Sequence, residues 1–170
     1  MVERYLVLDN LKFSYEGLFS AAEVYSIIQS FFYEKGWDWK ELLNQEITSP
    51  EGKQIRILDK PWKSAGDFHQ IETKIKIVMN NVKDVEVEHQ GKTITLNQGL
   101  IRITFDGYIN SDRNDKWVSK PLKWFFLIIA EKYLYHSNIE KYENWLKSDI
   151  DDLLNKIKSY LNVYKYSYQT

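Results

Sequence analysis

A chain of 170 residues with 44% apolar and 28% charged side chains suits one globular domain spanning 1–170, with fraying confined to an end such as 164–170. Its 23 basic and 24 acidic residues give a formal charge of −1. No basic stripe shows along the sequence, which argues against a nucleic-acid partner. Without cysteine there is no disulfide framework, zinc–thiolate site or thiol nucleophile, and a reducing, cytoplasmic setting is expected.

Aromatic residues make up 15% of the chain, a load that suits a thick core, a cavity lining or an interface. The start, Met1-Val2-Glu3-Arg4, carries no apolar signal core. The most apolar run, Trp124–Ala130, is far shorter than the roughly 20 residues a membrane span needs. A buried helix is expected there.

Residues 3–15 alternate as a strand, with Tyr5, Val7, Leu11, Phe13 and Tyr15 on one parity and Gly17 ending the run. Ser20-Ala21-Ala22-Glu23 is a capping box, in which the serine and glutamate side chains each take a free backbone N–H. The helix it opens carries Val24, Ile27, Ile28 and Phe31 on one stripe and ends at Gly36. Residues 39–48 and 53–59 form a hairpin around Ser49-Pro50-Glu51-Gly52, and 60–67 is a loop.

Four further strands follow, Phe68–Met79, Val82–His89, Lys92–Leu96 and Leu100–Ile109. They are separated by the turn sequences Asn80-Asn81, Gln90-Gly91 and Asn97-Gln98-Gly99, which makes an antiparallel meander. Pro121 starts a helix to about Tyr135, and Ser137-Asn138-Ile139-Glu140 caps a separate last helix, with the joint near His136. The stripe Ile139, Tyr142, Leu146, Ile150, Leu153, Ile157, Leu161 and Tyr164 makes that helix amphipathic. At 1.5 Å per residue its roughly 25 residues reach nearly 40 Å, enough to cross a small sheet. The fold class is therefore α+β: a curled antiparallel sheet of about seven strands with a long C-terminal helix packed across it.

The order of strand, helix, antiparallel strands and long closing helix resembles the helix-grip fold of the START-like superfamily, which includes the birch-pollen-allergen family and the polyketide cyclases. The resemblance lies in element order and brings no residue motif with it. It implies an apolar cavity between sheet and last helix that binds a small molecule or lipid, sometimes with chemistry performed on it.

Strand parity supplies the candidate ligand-binding residues. Asp9, His69 and His89 fall among the inward-facing apolar sets, where a polar group must find a partner or water. Gly107 shares the inward parity of Phe105 and Ile109 and marks a bulge, a close helix approach or a pocket wall. No nucleophile elbow, phosphate loop or metal-ligand spacing is present, so no catalytic residue, metal or cofactor is assigned. Asp149, Asp151 and Asp152 read as a solvated helix face, and Trp37, Trp39 and Trp62 as a core edge or a contact patch. Three functions remain open. They are a binding module for an apolar small molecule or lipid, an assembly protein that pairs with a second copy or another protein, and a cyclase- or hydrolase-type enzyme in the same cavity.

Overall fold

A computed structural model describes residues 4–66, 68–111, 121–122, 125–126, 129 and 136–167. Its elements are β1 (Arg4–Phe19), α1 (Ala21–Glu34), β2 (Glu41–Ser49), β3 (Gly52–Asp59), β4 (Trp62–Ala65), β5 (His69–His89), β6 (Lys92–Ser111) and α2 (His136–Ser167). The sheet is antiparallel, in the order β1-β6-β5-β3-β2, with β4 added beside β5. It is curled but not closed. That arrangement, with a helix across the concave face, is compatible with a helix grip.

The strand count is six, not seven. Asn80-Asn81 and Asn97-Gln98-Gly99 are not turns but facing irregularities inside β5 and β6, where the register slips between Asn80 and Lys83. Asn81 takes a left-handed φ of 53°, which in a paired strand makes a bulge. Only Gln90-Gly91 reverses the chain, with φ of 51° and 76°, as a primed two-residue hairpin turn requires. The expected loop 60–67 contains β4, which pairs Trp62–Ala65 with His69–Glu72. β1 runs on past Gly17, which stands opposite Gly99, to Phe19.

α1 begins as its capping box demands, with Ser20 Oγ accepting from the Glu23 N–H at 3.3 Å. The Glu23 carboxylate does not return to the cap. It accepts from Tyr160 at 2.5 Å and from Tyr164 at 3.0 Å, tying α1 to α2. The other end closes with the expected left-handed Gly36: the Gly36 N–H reaches Tyr33 O and the Trp37 N–H reaches Phe32 O, the paired bonds of a Schellman cap. Here α1 and α2 are clasped a second time. Asp149, expected on a solvated face, is 2% exposed; it accepts from Trp37 Nε1 at 3.2 Å and pairs with Lys35 at 3.4 Å. Asp151 and Asp152 remain exposed.

α2 is helical from His136, so Ser137 lies within it; residues 130–135, on the other side of the expected joint near His136, lie outside the described residues. Residues 121–122, 125–126 and 129 are helical, and the rest of the expected helix Pro121–Tyr135 lies outside the described residues. From the apolar run Trp124–Ala130, Phe125, Phe126 and Ile129 are exposed rather than buried.

The core lies between the concave face and the two helices. Odd-numbered residues of β5 and β6, from Ile71 to Met79 and from Ile101 to Ile109, face Leu146, Ile150, Leu153 and Ile157 of α2, all of them buried. Trp37 and Trp39 sit at the edge of this core, both against Phe32. α2 comes close at Gly107, where a Cβ would lie 2.7 Å from Leu146 Cδ2 and 3.2 Å from Leu8 Cβ. Gly107→Ala is expected to destabilise the fold by about 1–3 kcal/mol in urea titrations. The loss should shrink in a Leu146→Ala background, because the two changes share one space. Equal losses in both backgrounds would place the helix elsewhere.

Candidate functional site

The four residues singled out from sequence do not form one site. Asp9 is exposed. The register of β1 on β6 shifts between Leu6 and Leu8 and again between Leu8 and Leu11, so the inward series runs Tyr5, Leu8, Leu11 and leaves Asp9 in a bulge. His89 is exposed at the hairpin tip, next to the reversing turn. Gly107 is covered by Leu146, which makes it a close helix approach rather than a pocket wall.

His69 is the one polar candidate that does face inward. It is 4% exposed, its ring lies 5.6 Å from that of Tyr142, and its Nε2 has no hydrogen-bond partner. Burial pushes its pKa below the ordinary imidazole value, so the ring stays neutral. Thr73 Oγ1, on the same face and opposite Gly107, is also buried without a partner. α2 packs closely over both.

α2 packs tightly on the sheet at Gly107, and among the described residues an apolar hollow on the concave face lies beside α1. There, α1 leaves part of β3 and β5 uncovered. A half-open cleft of about 310 Å³ is lined by Ala21, Ala22, Tyr25, Ile55, Ile57, Met79 and Val82, with Glu46, Lys53 and Asn97 at its rim. The alanines of the first helical turn make the room. Asn97 Oδ1 accepts the free N–H of Ala21 at 2.9 Å and fixes the helix start over the sheet. A larger hollow of about 760 Å³ follows the kink between Gly17, Asn81 and Gly99, but none of its lining residues is buried.

One residue beyond Ile57 on the inward parity of β3 stands Asp59. It pairs across the ladder with Glu41 on one side and Ile75 on the other. Its side chain is wholly buried, and neither carboxyl oxygen has a hydrogen-bond partner. Burial first, and then the negative charge of Glu41, push its pKa from 3.8 up to about 7. Asp59 does not itself line the cleft; its cross-strand neighbour Glu41 is tied to the cleft through Tyr25. Its ring lines the cleft, and its hydroxyl donates to Glu41 Oε2 at 3.1 Å. Burial, the Asp59 charge and the Glu41 bond together push that hydroxyl up to about 12. Trp39 packs beside it, its ring 6.3 Å from that of Tyr25.

A carboxyl that titrates near neutrality, with both oxygens free, can hold a donor group or exchange a proton with it. Sequence reasoning passed over Asp59 because it ends a strand before Lys60-Pro61, where aspartate reads as a turn residue. Its parity with Ile55 and Ile57 was the signal. No protein-family model matches the chain, and no curated protein matches its sequence.

The outer face of the sheet also departs from expectation. Arg56, Lys76 and Arg102 line a groove of about 410 Å³ there, so basic side chains do gather although the chain as a whole is near neutral. Among the described residues no three His, Cys, Asp or Glu side chains cluster as metal ligands, and no helix is long and apolar enough to cross a membrane.

Because the folded pKa of Asp59 lies above its unfolded value, the fold binds more protons than the unfolded chain between about pH 4 and pH 7. The contribution of this group to stability is then greatest in acid and falls as the pH rises through that window. Asp59→Asn should raise stability at pH 8 by about 1–3 kcal/mol and change it little at pH 4. Urea titrations at the two pH values measure this; a destabilising Asp59→Asn at pH 8 would mean that the carboxylate is satisfied in the fold.

Proposed function

We propose that the protein is a binding module for a small, largely apolar molecule that carries a hydrogen-bond donor, held in the cleft beside α1. The observation that carries this reading is an apolar cleft lined by Tyr25, whose hydroxyl reaches Glu41, the cross-strand neighbour of the unpartnered buried carboxyl of Asp59. A volume of about 310 Å³ lies at the lower end of small-molecule sites, which are mostly apolar with a few placed polar groups. The START-like likeness of the element order supports the same class of function, with the ligand beside the first helix rather than beneath the last.

A ligand donor satisfies what the fold leaves unsatisfied. An amine or hydroxyl that reaches Asp59 removes the cost of an orphan carboxylate, and the apolar body covers Ile55, Ile57 and Met79. A second reading, association of two copies along β2, draws on the exposure of its Leu42, Leu43 and Ile47 at an open sheet edge.

Native mass spectrometry of the purified protein tests both. The expected result is a monomer with a small-molecule adduct, and an apolar dye that competes with it. Ala22→Trp, which fills the cleft from the helix side, should abolish adduct and dye binding while leaving the melting temperature within a few degrees of wild type. A dimer without adduct would favour the second reading. Dye binding untouched by Ala22→Trp would remove the cleft from consideration.

A further inference from the structure

The outer face of the sheet carries a row of cations that the alternation of strands assembles from four separate segments. Lys12 of β1 stands opposite Thr104 of β6; Arg102, two residues along β6, stands opposite Val78 of β5. Lys76 of β5 is opposite Thr104 and diagonal to Arg102, and Arg56 of β3 is opposite Val78 and diagonal to Lys76. The path Lys12, Arg102, Lys76, Arg56 is thus a zigzag of diagonal cross-strand neighbours, each step about 7–8 Å. All four side chains are exposed.

None of the four forms a salt bridge among the described residues. Two acids of that face, Asp106 and Glu72, have partners of their own, and the exposed Glu16 stands diagonal to Arg102. Asp106 accepts the Asn10 N–H at 2.7 Å, and Glu72 pairs with Arg4 at 2.7 Å and Lys60 at 3.0 Å. Like charges set side by side on a sheet destabilise it. Here Arg56, Lys76 and Arg102 line one groove together with Val78 and Thr104, without a salt bridge to any acid among the described residues.

We propose that this zigzag is a binding track for the phosphodiester backbone of a single-stranded nucleic acid. Charge complementarity requires a polyanion, and steps of this size match successive phosphates of an extended strand better than one compact anion. A rigid duplex meets a convex sheet along a short crest only, whereas a single strand can follow the curve. The row itself offers no exposed apolar side chain to insert into a bilayer, since Val78 and Thr104 are both partly buried. It also offers no aromatic platform for bases, so binding is electrostatic and indifferent to sequence.

Fluorescence anisotropy of a labelled oligodeoxythymidine with the full chain tests this. Four contacts to a single strand predict a slope of log K against log salt of about −3. Arg56→Glu combined with Arg102→Glu should weaken binding by at least about tenfold and halve the slope. Lys141→Glu with Lys158→Glu, the same charge change on exposed positions of α2, should leave affinity within about twofold. If the charge reversals disturb the fold by circular dichroism, Lys12→Gln with Lys76→Gln serves instead, with the same expected direction. No binding at low salt, or equal losses in the two charge-reversal pairs, would overturn the proposal. So would binding to phosphatidylserine vesicles in place of the oligonucleotide.

Discussion

Everything in this fold is registered on one long hairpin. β5 and β6 are 21 and 20 residues long, and they stay paired from His69–Ser111 out to the turn at Gln90-Gly91. The hairpin is not straight, and its kink sets the curl of the sheet. At Asn81 the chain takes a left-handed turn within the strand, and the neighbouring strands must yield room. A Cβ on Gly99 would come within 2.9 Å of the Asn80 carbonyl oxygen, and one on Gly52 within 2.9 Å of the Asn81 carbonyl carbon. Glycine at both positions lets β6 and β3 close over the kink.

The curl creates a concave face, and two helices fill most of it. They are fastened to each other at both ends of α1, by Glu23 with Tyr160 and Tyr164 and by Asp149 with Trp37 and Lys35. Between α1 and the β3 side of the sheet a half-open cleft remains. Asp59 lies buried two residues along β3 from Ile57, which lines that cleft. A stability-optimised core would hold an apolar residue at this position, since an unpartnered carboxyl in a dry site costs several kcal/mol.

Much of this was legible in the sequence. The α+β class, the cap at Ser20, the end at Gly36, the hairpin at Pro50 and the α2 stripe through Leu146, Ile150, Leu153 and Ile157 all follow from local rules, and the structure has them. What failed were places where two local signals compete. Asn80-Asn81 and Asn97-Gln98-Gly99 carry turn chemistry, yet they lie opposite each other in one ladder, and pairing over the full length of the hairpin outweighs either turn. Asp9 was misplaced for a related reason. Two bulges in β1 reset the parity that put it indoors, and bulges have no sequence signature as sharp as alternation. The same parity rule does reach Asp59, whose strand is regular from Ile55 onward. The outer-face cations were visible as residues but not as a group, because register alone brings β1, β3, β5 and β6 together there.

The central claim is that Asp59 is a buried carboxyl with no partner of its own, set beside a cleft that a ligand donor can fill. Its side-chain carbon, followed by NMR with carbon-13 labelling as the pH is changed, reports the protonation of that one group. A midpoint near 7 in the free protein, moving down when an apolar amine is added, is the result this account predicts. A midpoint near the ordinary value of 3.8, unmoved by the amine, would contradict it.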